Sequence, residues 1–136
     1  MTKTTTPGNE NDVRAKSHNL RIGRWGEKLA GEYLESLGFH IIERNYRTPY
    51  GELDLVAIKD SQTVVVEVKT RSSIRMGYPE EALTPRKASH LLQAVEEFVA
   101  DHPEVPQDWR VDLIAIIGKP GQQNPQMDYF ENVIVV

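Results

Sequence analysis

The fold of this chain is decided by GELDLVAI at residues 51–58 and VVVEVKTR at residues 64–71. Both stretches are rich in β-branched and apolar residues, which is typical of β-strands. The polar residues 59–62, KDSQ, lie between them and favour a hairpin loop. The two stretches therefore predict a hairpin at the centre of a β-sheet.

Charged side chains on this hairpin face one another if the loop is symmetric about Asp60-Ser61. Asp54 then lies opposite Glu67, and Glu52 lies opposite Lys69. Directly opposed residues have Cβ atoms roughly 4.5–5.5 Å apart, and like charges there are destabilising. A divalent cation would turn this repulsion into attraction, so the pattern predicts a metal site between Asp54 and Glu67. A slip of one residue would send the two carboxylates to opposite faces of the sheet.

The length and composition are typical of one soluble globular domain. The chain has 136 residues, of which 39% are hydrophobic and 26% are charged. It has no cysteine, which excludes disulfides, zinc-thiolate sites and cysteine nucleophiles. No apolar run approaches the ~20 residues of a membrane span, and the N-terminus lacks the apolar segment of a signal peptide. These features favour a cytoplasmic protein.

The net charge of −4 is unevenly distributed. Residues 40–90 carry 8 basic and 7 acidic groups, whereas residues 91–136 carry 2 and 8. A metal that neutralised Asp54 and Glu67 would leave the middle segment positive, a field that permits a polyanionic substrate. Basic side chains contact phosphates, and interspersed tyrosines can stack on unpaired bases; ordinary surface charge is the alternative interpretation. The candidates are Arg44, Arg47, Arg71, Arg75, Arg86 and Lys87, with Tyr46, Tyr50 and Tyr78.

Hydrophobic periodicity predicts the element order α-β-β-β-α-β-β, an α/β fold with a mixed central sheet flanked by helices. Residues 1–18 have no apolar period and are predicted to form a disordered arm, which leaves residues 19–136 as a single domain. Gly38 is a good residue to end the first helix, and Thr84-Pro85 is a good start for the second. The predicted helices are 20–37 and 85–101, and the predicted strands are 39–46, 51–58, 64–71, 109–117 and 127–136, with a loop at 72–83.

The residue types at the hairpin suit metal-assisted phosphodiester hydrolysis. Two carboxylates, with a backbone carbonyl, provide the oxygen ligands that Mg²⁺ or Mn²⁺ prefers. Lys69 could orient or deprotonate the attacking water, or stabilise the charge on the phosphorus. Glu27, at the margin of the apolar face of the first helix, could supply a third carboxylate. In the alternative interpretation Glu52–Lys69 is a surface ion pair, and the other three carboxylates face solvent.

Other candidate sites are weaker. The stretch 111–116 nearly repeats residues 53–58, but no Glu-x-Lys follows it on an adjacent strand, so we predict a structural role for Asp112. The four histidines are scattered without an i, i+4 pair, which argues against a zinc site. The sequence contains neither a Walker-type loop nor a G-x-S-x-G motif.

Five motifs follow one another along the chain: GRWGEKLA at 23–30, RNYR at 44–47, GELD at 51–54, VEVKTR at 66–71 and RVD at 110–112. This ordered set is more specific than Glu-x-Lys alone, and it resembles the bacterial YraN family over about residues 20–117. That family is similar to archaeal Holliday-junction resolvases and is placed among the PD-(D/E)XK nucleases, which have the restriction-endonuclease-like fold.

The resemblance implies a role for each residue of this set. Asp54 and Glu67 would bind the divalent metal, Lys69 would be the catalytic lysine, and Glu27 would be a helix-borne acid near the metal. Leu53 occupies the position of the proline in the superfamily signature, where the residue type varies within the superfamily. Resolvases of this type are dimers, so a homodimer is a hypothesis for this chain.

The sequence therefore favours an endonuclease that depends on Mg²⁺ or Mn²⁺ and acts on DNA, with branched or junction DNA as a candidate substrate. The alternative is a binding module with a nuclease-like fold that holds nucleic acid, or a protein partner, without cutting. A third and weaker hypothesis is a purely structural or assembly protein.

Overall fold

The chain forms a five-stranded mixed sheet with one long helix on each face. The computed structural model describes residues 9–75 and 77–134. The strand order is β1-β2-β3-β4-β5, in which β3 and β4 are parallel and the other neighbours are antiparallel. The predicted order of helices and strands is confirmed, with an added 3₁₀ turn at Pro79–Ala82 inside the predicted loop. The elements are α1 (Asn9–Ser36), β1 (His40–Thr48), β2 (Gly51–Lys59), β3 (Gln62–Arg71), α2 (Pro85–Asp101), β4 (Trp109–Ile117) and β5 (Gln126–Phe130).

The alternation of side chains along β3 divides the core into two layers. Val64, Val66 and Val68 are buried against Ala30 and Leu34 of α1. On the opposite face, Val65 belongs to a second cluster that includes Leu91, Val95 and Phe98 of α2. Glu67 and Lys69 follow Val65 with a period of two, so they lie on the α2 side of the sheet.

Helix α1 ends, and helix α2 begins, at the residues that the sequence predicted. Gly38 has a φ of 93°, its N–H donates to Glu35 O at 3.0 Å, and the N–H of Phe39 donates to Leu34 O at 3.0 Å. This pair of bonds is the Schellman motif, which needs a left-handed residue after the helix. At the start of α2, Thr84 Oγ1 accepts a hydrogen bond from the backbone N–H of Lys87 at 3.3 Å. Among the described residues, no helix combines the length and the apolar character needed to cross a bilayer.

Two terminal segments differ from the prediction. Helix α1 begins at Asn9 rather than near residue 20, so residues 9–18 of the predicted arm are helical. Residues 12–20 are exposed, and an exposed helical segment buries no apolar stripe that a sequence pattern could reveal. The final strand ends at Phe130, and Val133 instead donates its N–H to Val111 O at 2.8 Å. Residues 1–8 and 135–136 of these predictions lie outside the described residues.

Helix α1 packs closely against the sheet at Gly26. A Cβ at this position would overlap the side chain of Thr70 on β3, where it would contact Oγ1 and lie 3.2 Å from Cβ and 3.3 Å from Cγ2. Gly23, one turn earlier, has no atom within 4 Å of its own added Cβ. The backbone of α1 can therefore approach β3 closely at Gly26, which brings the neighbouring Glu27 to the sheet.

We expect Gly26→Ala and Gly23→Ala to have opposite effects on stability. Alanine is favoured over glycine in a helix by about 0.8–1.0 kcal/mol, and Gly23→Ala should show that gain. At Gly26 overpacking typically costs about 1–3 kcal/mol, so the free energy of unfolding should fall. Urea unfolding of both variants measures the difference. In a Thr70→Ala background Gly26→Ala should become stabilising, and a persistent loss there would contradict the contact.

Candidate functional site

The β2–β3 hairpin has the predicted register. The ladder runs from Lys59–Gln62 to Leu55–Val66, and the turn consists of two residues. Asp60 and Ser61 have φ values of 51° and 65°, both in the left-handed region. Two consecutive left-handed residues form the tight hairpin turn whose twist matches that of the flanking strands. The prediction that the hairpin centres on Asp60-Ser61 is therefore confirmed.

The described ladder between β2 and β3 ends at Leu55–Val66, one pair before Asp54 and Glu67. Beyond this point β3 stays paired with β4 as far as Arg71, whereas β2 stays paired with β1. Asp54 Oδ2 takes the place of a strand partner and accepts a hydrogen bond from the backbone N–H of Val68 at 2.9 Å. Glu67 nevertheless lies close enough to Asp54 for its carboxyl group to raise the pKa of Asp54.

The predicted opposition of Glu52 and Lys69 is wrong. Glu52 lies beyond the end of the β2–β3 ladder and pairs with Arg47 of β1 in the other half of the sheet. Its Oε2 lies 3.6 Å from Arg47 Nε, and the Arg47 side chain is 90% exposed. Such an exposed ion pair contributes about 0–1 kcal/mol. Lys69 is thus left without the surface partner that the alternative interpretation gave it.

The carboxyl groups of Asp54 and Glu67 repel each other when both are ionised. Burial, the hydrogen bond with Glu67 and the charge of Glu67 raise the pKa of Asp54 to about 9, and the Val68 N–H only partly opposes this shift. Two carboxylates that face each other away from solvent cannot both ionise easily, so the pair holds a proton unless a cation is present. The acidic pair is therefore suited either to a shared proton or to a positive ion.

Asn45 connects Glu27 to the same end of the sheet. With its amide nitrogen facing the carboxylates, Asn45 donates to Glu27 Oε1 at 3.0 Å and to Glu52 Oε1 at 3.1 Å. Burial, followed by the charges of Asp54 and Glu52, raises the pKa of Glu27 to about 7. The φ of Asn45 is 52°, a left-handed conformation that asparagine tolerates better than most residues. The sequence motifs predicted no role for Asn45, although an asparagine inside a strand is unusual enough to be a signal.

The donor chemistry of this end of the sheet fits a hard divalent cation. Asp54 and Glu67 supply carboxylate oxygens from two strands, which is the donor type that Mg²⁺ and Mn²⁺ prefer. Glu27 is near enough to respond to the charge of Asp54. Within residues 9–75 and 77–134, however, no group of three His, Asp or Glu side chains is close enough to hold a metal ion. Asp54 and Glu67 are thus the candidate ligands, and Glu27 lies in their surroundings.

Two lysine side chains lie beside Glu67, and Arg71 lies further along β3. Lys69 and Lys87 line a small cavity of about 30 Å³ with Glu67. Lys69 also lines a second cavity of about 470 Å³, together with Arg71. The Nε of Arg71 is buried and has no hydrogen-bond partner among the described residues. The structure therefore brings Lys69 and Lys87 to the acidic pair, whereas Arg71 is connected to it only through the cavity that it shares with Lys69.

The other basic residues of the sequence analysis lie elsewhere. Arg44 lines a groove of about 460 Å³ on the α1 side of the sheet, beside Glu27 and Asn45. Arg47 is in the ion pair with Glu52. Arg75 is exposed in the segment between β3 and α2, and Arg86 is exposed in the first turn of α2. The predicted basic cluster is accordingly divided between the two faces and the edge of the sheet.

Asp112 is a structural residue, as its lack of a neighbouring Glu-x-Lys suggested. Its side chain is fully buried. It accepts hydrogen bonds from Arg110 Nε at 3.1 and 3.2 Å, from the Tyr129 hydroxyl at 2.5 Å and from the Asn132 N–H at 2.8 Å. These donors come from β4, from β5 and from the segment after β5. Asp112 thus holds the C-terminal edge of the sheet together.

The stability of the metal-free protein is expected to fall as the pH rises from about 4 to about 9. In the unfolded chain Asp54 ionises near its ordinary pKa of 3.8, whereas in the folded state its pKa is about 9. The folded state therefore holds the extra proton in this window, and the free energy of unfolding decreases as the pH increases. Urea unfolding at several pH values in the presence of a chelator measures the slope.

Asp54→Asn should flatten this slope, because asparagine can still accept the Val68 N–H without ionising. Asp60→Asn at the exposed tip of the hairpin is the matched control and should keep the wild-type slope. An identical slope in the wild type and in Asp54→Asn would contradict the raised pKa of Asp54 in the folded state.

The sequence of the chain matches known proteins over most of its length. The model of the "Uncharacterised protein family UPF0102" matches residues 26–116. A UPF0102 protein of Syntrophomonas wolfei is 46% identical over 76% of this chain and 90% of its own length. A UPF0102 protein of Chloroherpeton thalassium is 36% identical over 87% of this chain and 92% of its own length. One from Beutenbergia cavernae is 45% identical over 77% of this chain and 86% of its own length.

The matched region, residues 26–116, contains Glu27, Asn45, Asp54, Glu67 and Lys69 of the site just described. The resemblance to the YraN family that the sequence motifs indicated is therefore confirmed at the level of the family: the chain belongs to the UPF0102 (YraN) family.

Proposed function

We propose that this protein is a metal-dependent nuclease that hydrolyses phosphodiester bonds in DNA. The observation that carries the proposal is the Asp54–Glu67 carboxyl pair at the point where β2 and β3 separate, with Lys69 two residues further along β3. The mixed sheet between two helices agrees with a restriction-endonuclease-like fold, which is part of this proposal. The resemblance to resolvases supports it as well.

The residues of the site have distinct roles in this proposal. Asp54 and Glu67 would hold Mg²⁺ or Mn²⁺, which when bound supplies positive charge for the scissile phosphate and acidifies a water. The Val68 N–H keeps Asp54 oriented toward Glu67. Lys69 would orient the attacking water or stabilise the negative charge on the phosphate. Glu27, whose pKa is about 7, can take up or release a proton near neutral pH.

The cations around the acidic pair would bind the phosphates of the strand. Arg71 and Lys87 flank Lys69, and Arg75 lies on the exposed segment that follows β3. Arg44 and Arg47 lie further away and would contact DNA only outside the cleavage site. The DNA substrate and the homodimer that the resemblance implies are both part of this proposal.

The direct test is cleavage of end-labelled junction, flap, single-stranded and duplex DNA in Mg²⁺ or Mn²⁺, with Glu67→Ala as the control for a contaminating nuclease. We expect metal-dependent cleavage of at least one substrate that is lost in Glu67→Ala. The absence of cleavage of every substrate with both metals would overturn the proposal. Salt-dependent DNA binding without turnover, retained in Glu67→Ala, would instead support the non-catalytic binding module.

A further inference from the structure

A groove beside the acidic pair has the chemistry of a nucleotide-binding site. It has a volume of about 210 Å³ and is lined by residues that include Tyr50, Glu67, Lys87, His90, Leu91 and Ala94. Leu91 and Ala94 are buried and form an apolar floor, whereas Tyr50 is 45% exposed. An aromatic ring, an apolar floor and a cation beside the proposed metal ligand Glu67 suit a base and its phosphate.

The backbone at Tyr50 is constrained by the turn in which it lies. Tyr50 lies in the tight turn between β1 and β2, where its N–H donates to Thr48 Oγ1 at 3.1 Å. The Thr48 hydroxyl in turn donates to Gly51 O at 2.7 Å. Gly51 has a φ of 136°, a conformation that other residues rarely adopt. The turn therefore presents the tyrosine on a constrained backbone, which lowers the entropy cost of stacking.

Charges on the two sides of Tyr50 set a direction for a bound strand. On one side lies the groove, where Lys87 is the cation beside Glu52 and Glu67. On the other side Tyr50 adjoins Glu96 and Glu97 of α2, whose carboxylates repel phosphates. A nucleotide whose base rests on Tyr50 would consequently direct its phosphate toward Lys87 and the acidic pair.

We propose that this groove is a subsite for one unpaired nucleotide of the DNA substrate, with its base stacked on Tyr50 and its phosphate on Lys87. This inference rests on the proposed function and narrows the substrate class. A base within a continuous duplex is covered on both faces by its neighbours, so it cannot reach Tyr50 without unstacking. The protein therefore selects single-stranded, flap or otherwise unpaired DNA over intact duplex.

The test measures binding rather than cleavage. A single-stranded oligonucleotide with 2-aminopurine at successive positions is titrated with protein in Ca²⁺ in place of Mg²⁺, and both affinity and base fluorescence are recorded. Tyr50→Ala should weaken binding by about 5- to 150-fold, the loss expected for one base–aromatic stack, and should remove quenching at one position. Tyr50→Phe should keep the affinity within about twofold, because the ring is retained.

Tyr33→Ala is the matched control, since Tyr33 is 38% exposed and lies on α1, outside the groove. It should leave the position-specific quenching intact, and binding of blunt duplex should be the same in all four proteins. Equal losses in Tyr50→Ala and Tyr33→Ala, or an equal loss with blunt duplex, would overturn the subsite. Cleavage without Tyr50-dependent stacking would overturn the subsite alone, whereas stacking without cleavage in Mg²⁺ or Mn²⁺ would support it and overturn the nuclease proposal.

Discussion

Lys69→Ala is expected to lower the rate of metal-dependent DNA cleavage by about 10²- to 10⁴-fold, the usual contribution of a positioned acid or base. Lys69 lines the same small cavity as Glu67, and the structure gives it no pairing with Glu52. Its loss should affect the reaction more than the fold, because its side chain is partly exposed and outside both core clusters. Cleavage of the best substrate under single-turnover conditions measures the effect.

A second measurement separates Lys69 from the metal ligands. The metal binds only the folded protein in this proposal, so Mn²⁺ should raise the midpoint of thermal unfolding. Lys69→Ala should keep that increase, whereas Asp54→Asn should lose both the increase and the cleavage. Lys119→Ala, at an exposed lysine in the loop after β4, is the matched control and should leave cleavage unchanged. A Lys69→Ala protein that cleaves at the wild-type rate would refute the catalytic role.

Asp112→Ala is expected to lower the free energy of unfolding by about 3–5 kcal/mol, the usual cost of removing one partner from a buried ion pair. The substitution would leave Arg110, the Tyr129 hydroxyl and the Asn132 N–H without their shared acceptor. The Arg110 side chain is only 25% exposed, so water compensates it incompletely. Urea unfolding at neutral pH measures the change.

The neighbouring Asp128→Ala provides the control for this effect. Asp128 lies on β5 opposite Ala115, and its described hydrogen bond is an exposed one from Gln126 at 3.0 Å. Removal of this exposed contact should cost no more than about 1 kcal/mol. If Asp112→Ala lowered the free energy of unfolding no more than Asp128→Ala does, the hydrogen bonds of Asp112 would not be what holds β4, β5 and the C-terminal segment together.

The central hairpin could be predicted because its determinants are local. Two apolar stretches and a polar loop define the strands, and an even loop places the paired positions in register. The end of α1 and the start of α2 were likewise predictable, since Gly38 and Thr84 act through contacts within a few residues. In each case the interactions involve neighbours in sequence, so the residue types alone were informative.

The arrangement at the acidic pair was only partly predictable. The symmetric hairpin placed Asp54 opposite Glu67, but it wrongly continued the ladder to Glu52 and Lys69. Beyond Leu55, β2 follows β1 and β3 follows β4, and this separation depends on all four strands. The contact of Asp54 with the Val68 N–H and the bridge made by Asn45 are consequences of that separation.

The sequence by itself determined the order of elements, the register of the hairpin and the residue types of the acidic site, because each depends on periodicity or on short-range turns. Only the tertiary structure decided where β2 and β3 part, which cations lie beside Glu67 and that Asp112 is a buried anchor. These features depend on which strands become neighbours and how closely α1 approaches β3 at Gly26. Such contacts join residues far apart in the chain, and no local pattern records them.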